Sequence, residues 1–191
     1  MYQKRNNEHE IISLYRGNYA ARFYLREIGK RAGLPLKTTQ NALQQLERKK
    51  VLKSSTEGKN KYFFFNLDNI QAKFAVLQAE VYQTALFLEA YQPFKLFLKG
   101  LTTHAPLIVF GSFAKCQAGK DSDLDLLAVS ENDDIPVHLL PYKIHRLNMP
   151  ETTFMKALRE QEAVMKEIAG HHIILNNHSF FVDAMWMEYG K

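Results

Sequence analysis

Two apolar runs joined by a short polar loop constrain this chain most. The first, Pro106-Leu107-Ile108-Val109-Phe110, stops abruptly at Gly111-Ser112. The second, Leu124-Asp125-Leu126-Leu127, is entered through Ser122 and Asp123. Apolar runs of this length bounded by turn residues read as buried strands. Side chains alternate faces along a strand, so Asp123 and Asp125 share one face while Leu124 and Leu126 take the other. Two carboxylates so placed repel, and a divalent cation relieves the repulsion. Mg²⁺ takes hard oxygen ligands and commonly sits between one or two carboxylates and substrate phosphates. Gly111 suits a close backbone approach to a phosphate, and Ser112 adds a hydroxyl and an amide. A helical turn over Phe113 to Gln117 would aim free amides at the same anion. The competing reading is a plain turn beside a solvated strand edge.

Gly111-Ser112 followed by Ser122-Asp123-Leu124-Asp125-Leu126-Leu127 resembles the signature of the polymerase β-like nucleotidyltransferase superfamily. The nearest branch is the minimal nucleotidyltransferases of archaea and bacteria. The resemblance covers Leu101 to Tyr189. It implies that Gly111, Ser112, Lys115 and Ser122 hold nucleotide phosphates, and that Asp123 and Asp125 bind Mg²⁺ and carry catalysis. Two departures stand out. The family's third carboxylate, on the next strand, has no counterpart in Tyr142 to Leu147, where His145 or Arg146 takes its place. An Arg-Gly pair common after the turn is replaced by Lys115-Cys116, which keeps the charge but not the glycine's freedom. The loop Ser130 to Pro136 carries Glu131, Asp133 and Asp134 and reads as solvated.

Charge divides the chain. Residues 1–67 hold 14 Lys and Arg against 5 Asp and Glu, a net +9, whereas the remainder nets −4. A basic block points to a polyanionic partner, most often nucleic acid. Glu8 to Tyr15 reads as a short helix, Tyr24 to Ala32 as a second closed by Gly33, and Pro35 to Lys50 as a third. Val51 to Ser54 and Tyr62 to Phe65 read as strands around a basic tip. The sum looks like a winged helix-turn-helix domain. Lys37, Arg48, Lys59 and Lys61 are candidates for DNA phosphates. Thr38, Gln40, Asn41 and Gln44 lie on the same polar helix face, and its amides can read base edges. A winged helix used only for protein contacts is the alternative.

Asp68 is positioned to cap a long helix from Asn69 to about Tyr91. Ile70, Phe74, Leu77, Val81, Ala85 and Leu88 form a stripe at helical spacing, and Val76, Leu86 and Phe87 add a second apolar side. The stripe is either an intrachain core or the seam of a homodimer. Pro93 breaks this helix. Pro150 to about Ala169 reads as one further helix, His171 to Leu175 as a strand, and Phe180 to Val182 as a docking segment. His171, His172 and His178 lack metal-ligand spacing.

The expected architecture is α+β. It comprises a winged helix-turn-helix at 1–67, a connecting helix at 68–100 and a small mixed-sheet nucleotidyltransferase-like domain at 101–191. One cysteine excludes an intrachain disulfide, and no run reaches membrane-spanning length, so the expected location is the cytoplasm. Two functions follow. The first is Mg²⁺-dependent transfer of a nucleoside monophosphate from a nucleoside triphosphate to a hydroxyl acceptor, by a protein bound to double-stranded DNA. The second is a DNA-binding transcriptional regulator whose degenerate transferase domain senses nucleotide or mediates assembly.

Overall fold

The computed structural model describes residues 5–131 and 134–190. These divide into two compact units: residues 5–82 with 185–190, and residues 83–184. Asp133 of the acidic loop lies outside the described residues. Among the described residues, no helix is long and apolar enough to cross a membrane.

The first unit contains helices α1 (Asn7–Ser13), α2 (Leu25–Ala32) and α3 (Leu36–Arg48). It also holds a three-stranded antiparallel sheet ordered β1 (Phe23–Tyr24), β3 (Asn60–Phe65), β2 (Leu52–Glu57). Asn6 caps α1, accepting from the Glu8 and His9 amides. Gly33 closes α2 at φ 61, a left-handed conformation that costs glycine nothing. Helix α3 then starts one residue after Pro35 and buries Thr39, Ala42, Leu43 and Leu46. Strands β2 and β3 pair from Leu52↔Phe65 out to Glu57↔Asn60, leaving Gly58-Lys59 as a two-residue turn. They extend beyond the apolar runs because the register, once set, carries Thr56 and Lys61 into the ladder. In the core, the Tyr15 hydroxyl donates to the Phe63 carbonyl at 3.0 Å. Burial pushes that phenol above the usual tyrosine range. Arg16 donates to the fully buried Glu80 at 2.7 Å.

Helix α4 (Ile70–Ala90) runs from the first unit into the second. Its cap is Asn69, which accepts the Gln71 amide at 3.1 Å. Asp68, the expected cap, instead pairs with Lys53. Ala72, Val76 and Ala79 are fully buried, while Ile70, Phe74 and Val81 on the opposite side stay exposed.

The second unit follows with α5 (Pro93–Lys99), β4 (Leu107–Phe110), α6 (Gly111–Ala114) and β5 (Leu124–Ala128). Next come β6 (Ile144–Asn148), α7 (Glu151–Arg159), α8 (Ala163–Gly170), β7 (Ile173–Asn176) and α9 (His178–Tyr189). The sheet is mixed and ordered β6-β5-β4-β7. Strands β5 and β6 run parallel, and β4 runs antiparallel to both β5 and β7. All four residues of β4 are buried, as an apolar run in a central strand requires. Phe94, Phe97, Phe113, Leu124 and Leu126 pack one core cluster over this sheet.

Two expectations change. The single helix expected over 150–169 is two, because Gln161 turns left-handed at φ 52 and the Glu162 amide folds back to the Ala157 carbonyl at 3.0 Å. Phe180 to Val182 belong to α9 rather than to a docking segment. Asn177, also left-handed at φ 55, turns the chain out of β7, and its side chain accepts from Ser179 at the helix start.

Candidate nucleotide and nucleic-acid sites

Strand β4 ends where Gly111 takes φ +66 and begins α6. The sheet register sets Phe110 opposite Asp125. That places the Asp125 carboxylate directly over the glycine: a Cβ on Gly111 would lie 2.2 Å from Asp125 Oδ2 and 3.2 Å from its Cγ. No other residue fits there, on conformation and on space together. The glycine hinge and one carboxylate of the pair are therefore neighbours.

Asp123 lies just before β5, and each aspartate meets a basic side chain at or just before the start of β6. Lys143 Nζ is 2.9 Å from Asp123 Oδ2, and His145 Nδ1 is 3.1 Å from Asp125 Oδ1. The parallel register explains this, since it aligns Asp125 with His145. The side chains of Lys143 and His145 are 82% and 72% exposed, against 42% and 28% for Asp123 and Asp125. Polar contacts this wet contribute at most about 1 kcal/mol each, so an incoming ligand can replace them. Of the two residues standing where a third carboxylate is expected, His145 faces Asp125. Arg146 turns its Nε to Asn148 at 2.7 Å.

The remaining residues of the loop have distinct tasks. Ser112 is half-buried in α6, and its carbonyl accepts the Gln117 amide at 3.0 Å. Lys115 is exposed at the end of that helix. The Ser122 hydroxyl accepts the Gly119 amide at 2.9 Å, so it closes the loop that leads to Asp123. Cys116 adopts φ 54 and is exposed. The backbone thus keeps a conformation suited to glycine and bears the cysteine's strain, about 1–2 kcal/mol.

Among the described residues, no group of three or more His, Cys, Asp or Glu is arranged to hold a metal. Mg²⁺ asks less of a protein when phosphates complete its shell, and one or two carboxylates then suffice. Asp125 cradled on Gly111, with Asp123 two residues before it, fits that requirement.

In the first unit, Lys37, Gln40, Asn41, Gln44 and Arg48 are exposed along α3, and Thr38 is half-buried. A groove between α3 and the β2–β3 hairpin is lined by Gln40, Gln44, Lys59 and Lys61. Thr38 and Asn41 line a separate hollow with Asn6, Glu8 and Gln45. One groove residue went unread in the sequence. Glu47 accepts from Lys61 at 3.0 Å and from the Ser54 hydroxyl at 2.6 Å, which ties helix to hairpin. Its acidity within a basic face was the available signal.

Residues 94–187 match the family model of the nucleotidyltransferase domain. The matched segment contains the whole four-stranded sheet, Gly111, Ser112, Asp123 and Asp125. No curated protein and no solved structure matches the chain significantly.

Proposed function

Starting from a nucleotidyltransferase domain at residues 94–187, we propose that this protein moves a nucleoside monophosphate from a nucleoside triphosphate to a hydroxyl acceptor, with Mg²⁺ as cofactor. Gly111 and Ser112 cradle the phosphates, and Lys115 offsets their charge. Asp123 and Asp125 are the residues that would hold Mg²⁺. When bound, the cation supplies charge neutralisation on the transferring phosphoryl group. The chain's own contribution is positioning. Asp125 is fixed by its seat on Gly111, and Ser122 braces the approach to Asp123. The observation that carries this reading is the Asp125 carboxylate packed on Gly111 at a distance only glycine permits.

The first unit we read as a winged helix-turn-helix, with α3 as recognition helix and the β2–β3 hairpin as wing. Its partner in this reading is double-stranded DNA in the cytoplasm. Lys37, Arg48, Lys59 and Lys61 take phosphates, Gln40 and Gln44 read bases, and Thr38 and Asn41 serve the flank. Duplex binding should weaken steeply with salt. Replacing Lys37, Gln40 and Gln44 together by Ala should abolish it, and unchanged affinity would reject the assignment.

A second reading draws support from His145, which meets Asp125 where an acceptor-activating carboxylate would stand, and from Lys143, which meets Asp123. In it, the domain binds nucleotide without turnover and the protein is a DNA-binding regulator. Labelled nucleoside triphosphates with Mg²⁺ and hydroxyl acceptors separate the two. Transfer abolished by Asp125→Asn supports the enzyme. Binding without transfer, itself lost in Asp123→Asn, supports the regulator. No nucleotide binding at all would reject both.

A further inference from the structure

Leu36 is the odd residue of helix α3. The other apolar side chains of that helix, Ala42, Leu43 and Leu46, are buried, whereas Leu36 is 51% exposed. At about 100° per residue, Leu36, Gln40 and Gln44 fall within an arc of about 80°. Both glutamines are exposed and line the groove between α3 and the hairpin. Glu47 shares the arc, but Lys61 and the Ser54 hydroxyl hold its carboxylate. The free part of the stripe is therefore one aliphatic side chain followed by two amides. Leucine cannot serve a phosphate, so its use on this face is apolar. The major-groove edge of an A·T pair answers both side-chain types: adenine offers N7 and its N6 amino group to an amide, and thymine offers its C5-methyl to an apolar group. Leu36 is also the first residue of α3, and the first residues of a recognition helix are those that reach base edges.

We propose that Leu36 is a specificity-determining residue that selects thymine by packing on its C5-methyl group, a role that rests on the reading of α3 as a DNA recognition helix. The chain then prefers A·T pairs where the start of α3 enters the major groove. Lys37 and Arg48 continue the exposed side beyond the amides and serve the phosphates, which carry no sequence information. The spacing is fixed by the helix. Leu36 and Gln40 lie about 6 Å apart along its axis, less than two base-pair steps of about 3.4 Å. The selected thymine therefore lies within about two steps of the base that Gln40 reads.

Selection of a randomised duplex library on the full chain, followed by replacement of each selected thymine with deoxyuridine, tests this. Deoxyuridine lacks only the methyl group. At one thymine the replacement should weaken binding about fourfold, the value of one buried methyl. That thymine should lie within about two steps of the position whose base preference disappears in Gln40→Ala. Leu36→Ala should bind the thymine and deoxyuridine duplexes equally, with circular dichroism unchanged because position 36 is exposed. Leu36→Met, which still presents a methyl, should keep the difference. A selected site with no uracil-sensitive thymine, or one whose sensitivity survives Leu36→Ala, overturns the role of Leu36 and leaves the recognition helix standing. Absence of duplex binding altogether rejects the recognition helix and the role of Leu36 together.

Discussion

Gly111→Ala tests the central geometry of the candidate site. The new Cβ would lie 2.2 Å from Asp125 Oδ2, on a backbone held at φ +66. The left-handed conformation costs a non-glycine residue about 1–2 kcal/mol. Pushing the Asp125 carboxylate off its rotamer costs about 0.5–1.5 kcal/mol more. The total, about 2–3 kcal/mol, should lower the melting temperature of this unit by about 10–20 °C. Where glycine is not required, the same substitution stabilises by about 0.4–1 kcal/mol, so the sign alone discriminates. The two contributions can be separated. Asp125→Ala removes Oδ2 and Cγ and leaves a carbon at an ordinary 3.5 Å from the new Cβ. Gly111→Ala in that background should therefore cost only the conformational share, giving a coupling of about 1 kcal/mol between the sites. Thermal melts followed by far-ultraviolet circular dichroism on the four proteins complete the cycle. Equal losses in both backgrounds, or no loss in either, would refute the packing of carboxylate on glycine.

Three further outcomes are expected. Glu47→Gln should free Lys61 for a phosphate, tighten duplex DNA binding and steepen the log K against log salt slope by about 0.9; an unchanged slope would show that Glu47 does not restrain that cation. Arg16→Met takes the guanidinium from a carboxylate with no solvent exposure and should cost about 3–5 kcal/mol in urea unfolding, with a loss under about 1 kcal/mol counting against the buried pair. Burial lowers the His9 pKa below its ordinary 6.5, so on acidification the unfolded chain takes up its proton first. Stability of the first unit should fall as pH drops below about 6.5, and an equally steep fall in His9→Gln would remove that residue from the explanation.

The strand–turn–strand around Gly111 could be read from sequence because two saturated apolar runs leave little choice of structure. Helix α3 was legible for a similar reason: Gly33 and Pro35 punctuate its start, and Thr39, Leu43 and Leu46 mark its inner face. Strand β1 was not, since two residues carry no periodicity and their pairing is set by β3. The break at Gln161 was hidden because neither glycine nor proline marks it. At the site, alternation along β5 is what predicts a common side for Asp123 and Asp125. The contacts with Lys143 and His145 could not be read there, because they depend on how a strand twenty residues away, and the residue before it, align with β5. The stripe on α4 was visible as a pattern, but a pattern does not say whether it is covered. Exposure at Ile70, Phe74 and Val81 comes only from the folded chain.

Trp186 sits near the end of the sequence, yet its ring lies 6.1 Å from that of Tyr19, and the Tyr189 ring lies tilted against the same tyrosine at 5.6 Å. It is the only tryptophan present. Its fluorescence therefore reports on the surroundings of Tyr19 in the first unit. A fragment cut after the hairpin would lose both its optical probe and two aromatic walls of its own interior. Expression of that half alone calls for grafting the final helical turn back on.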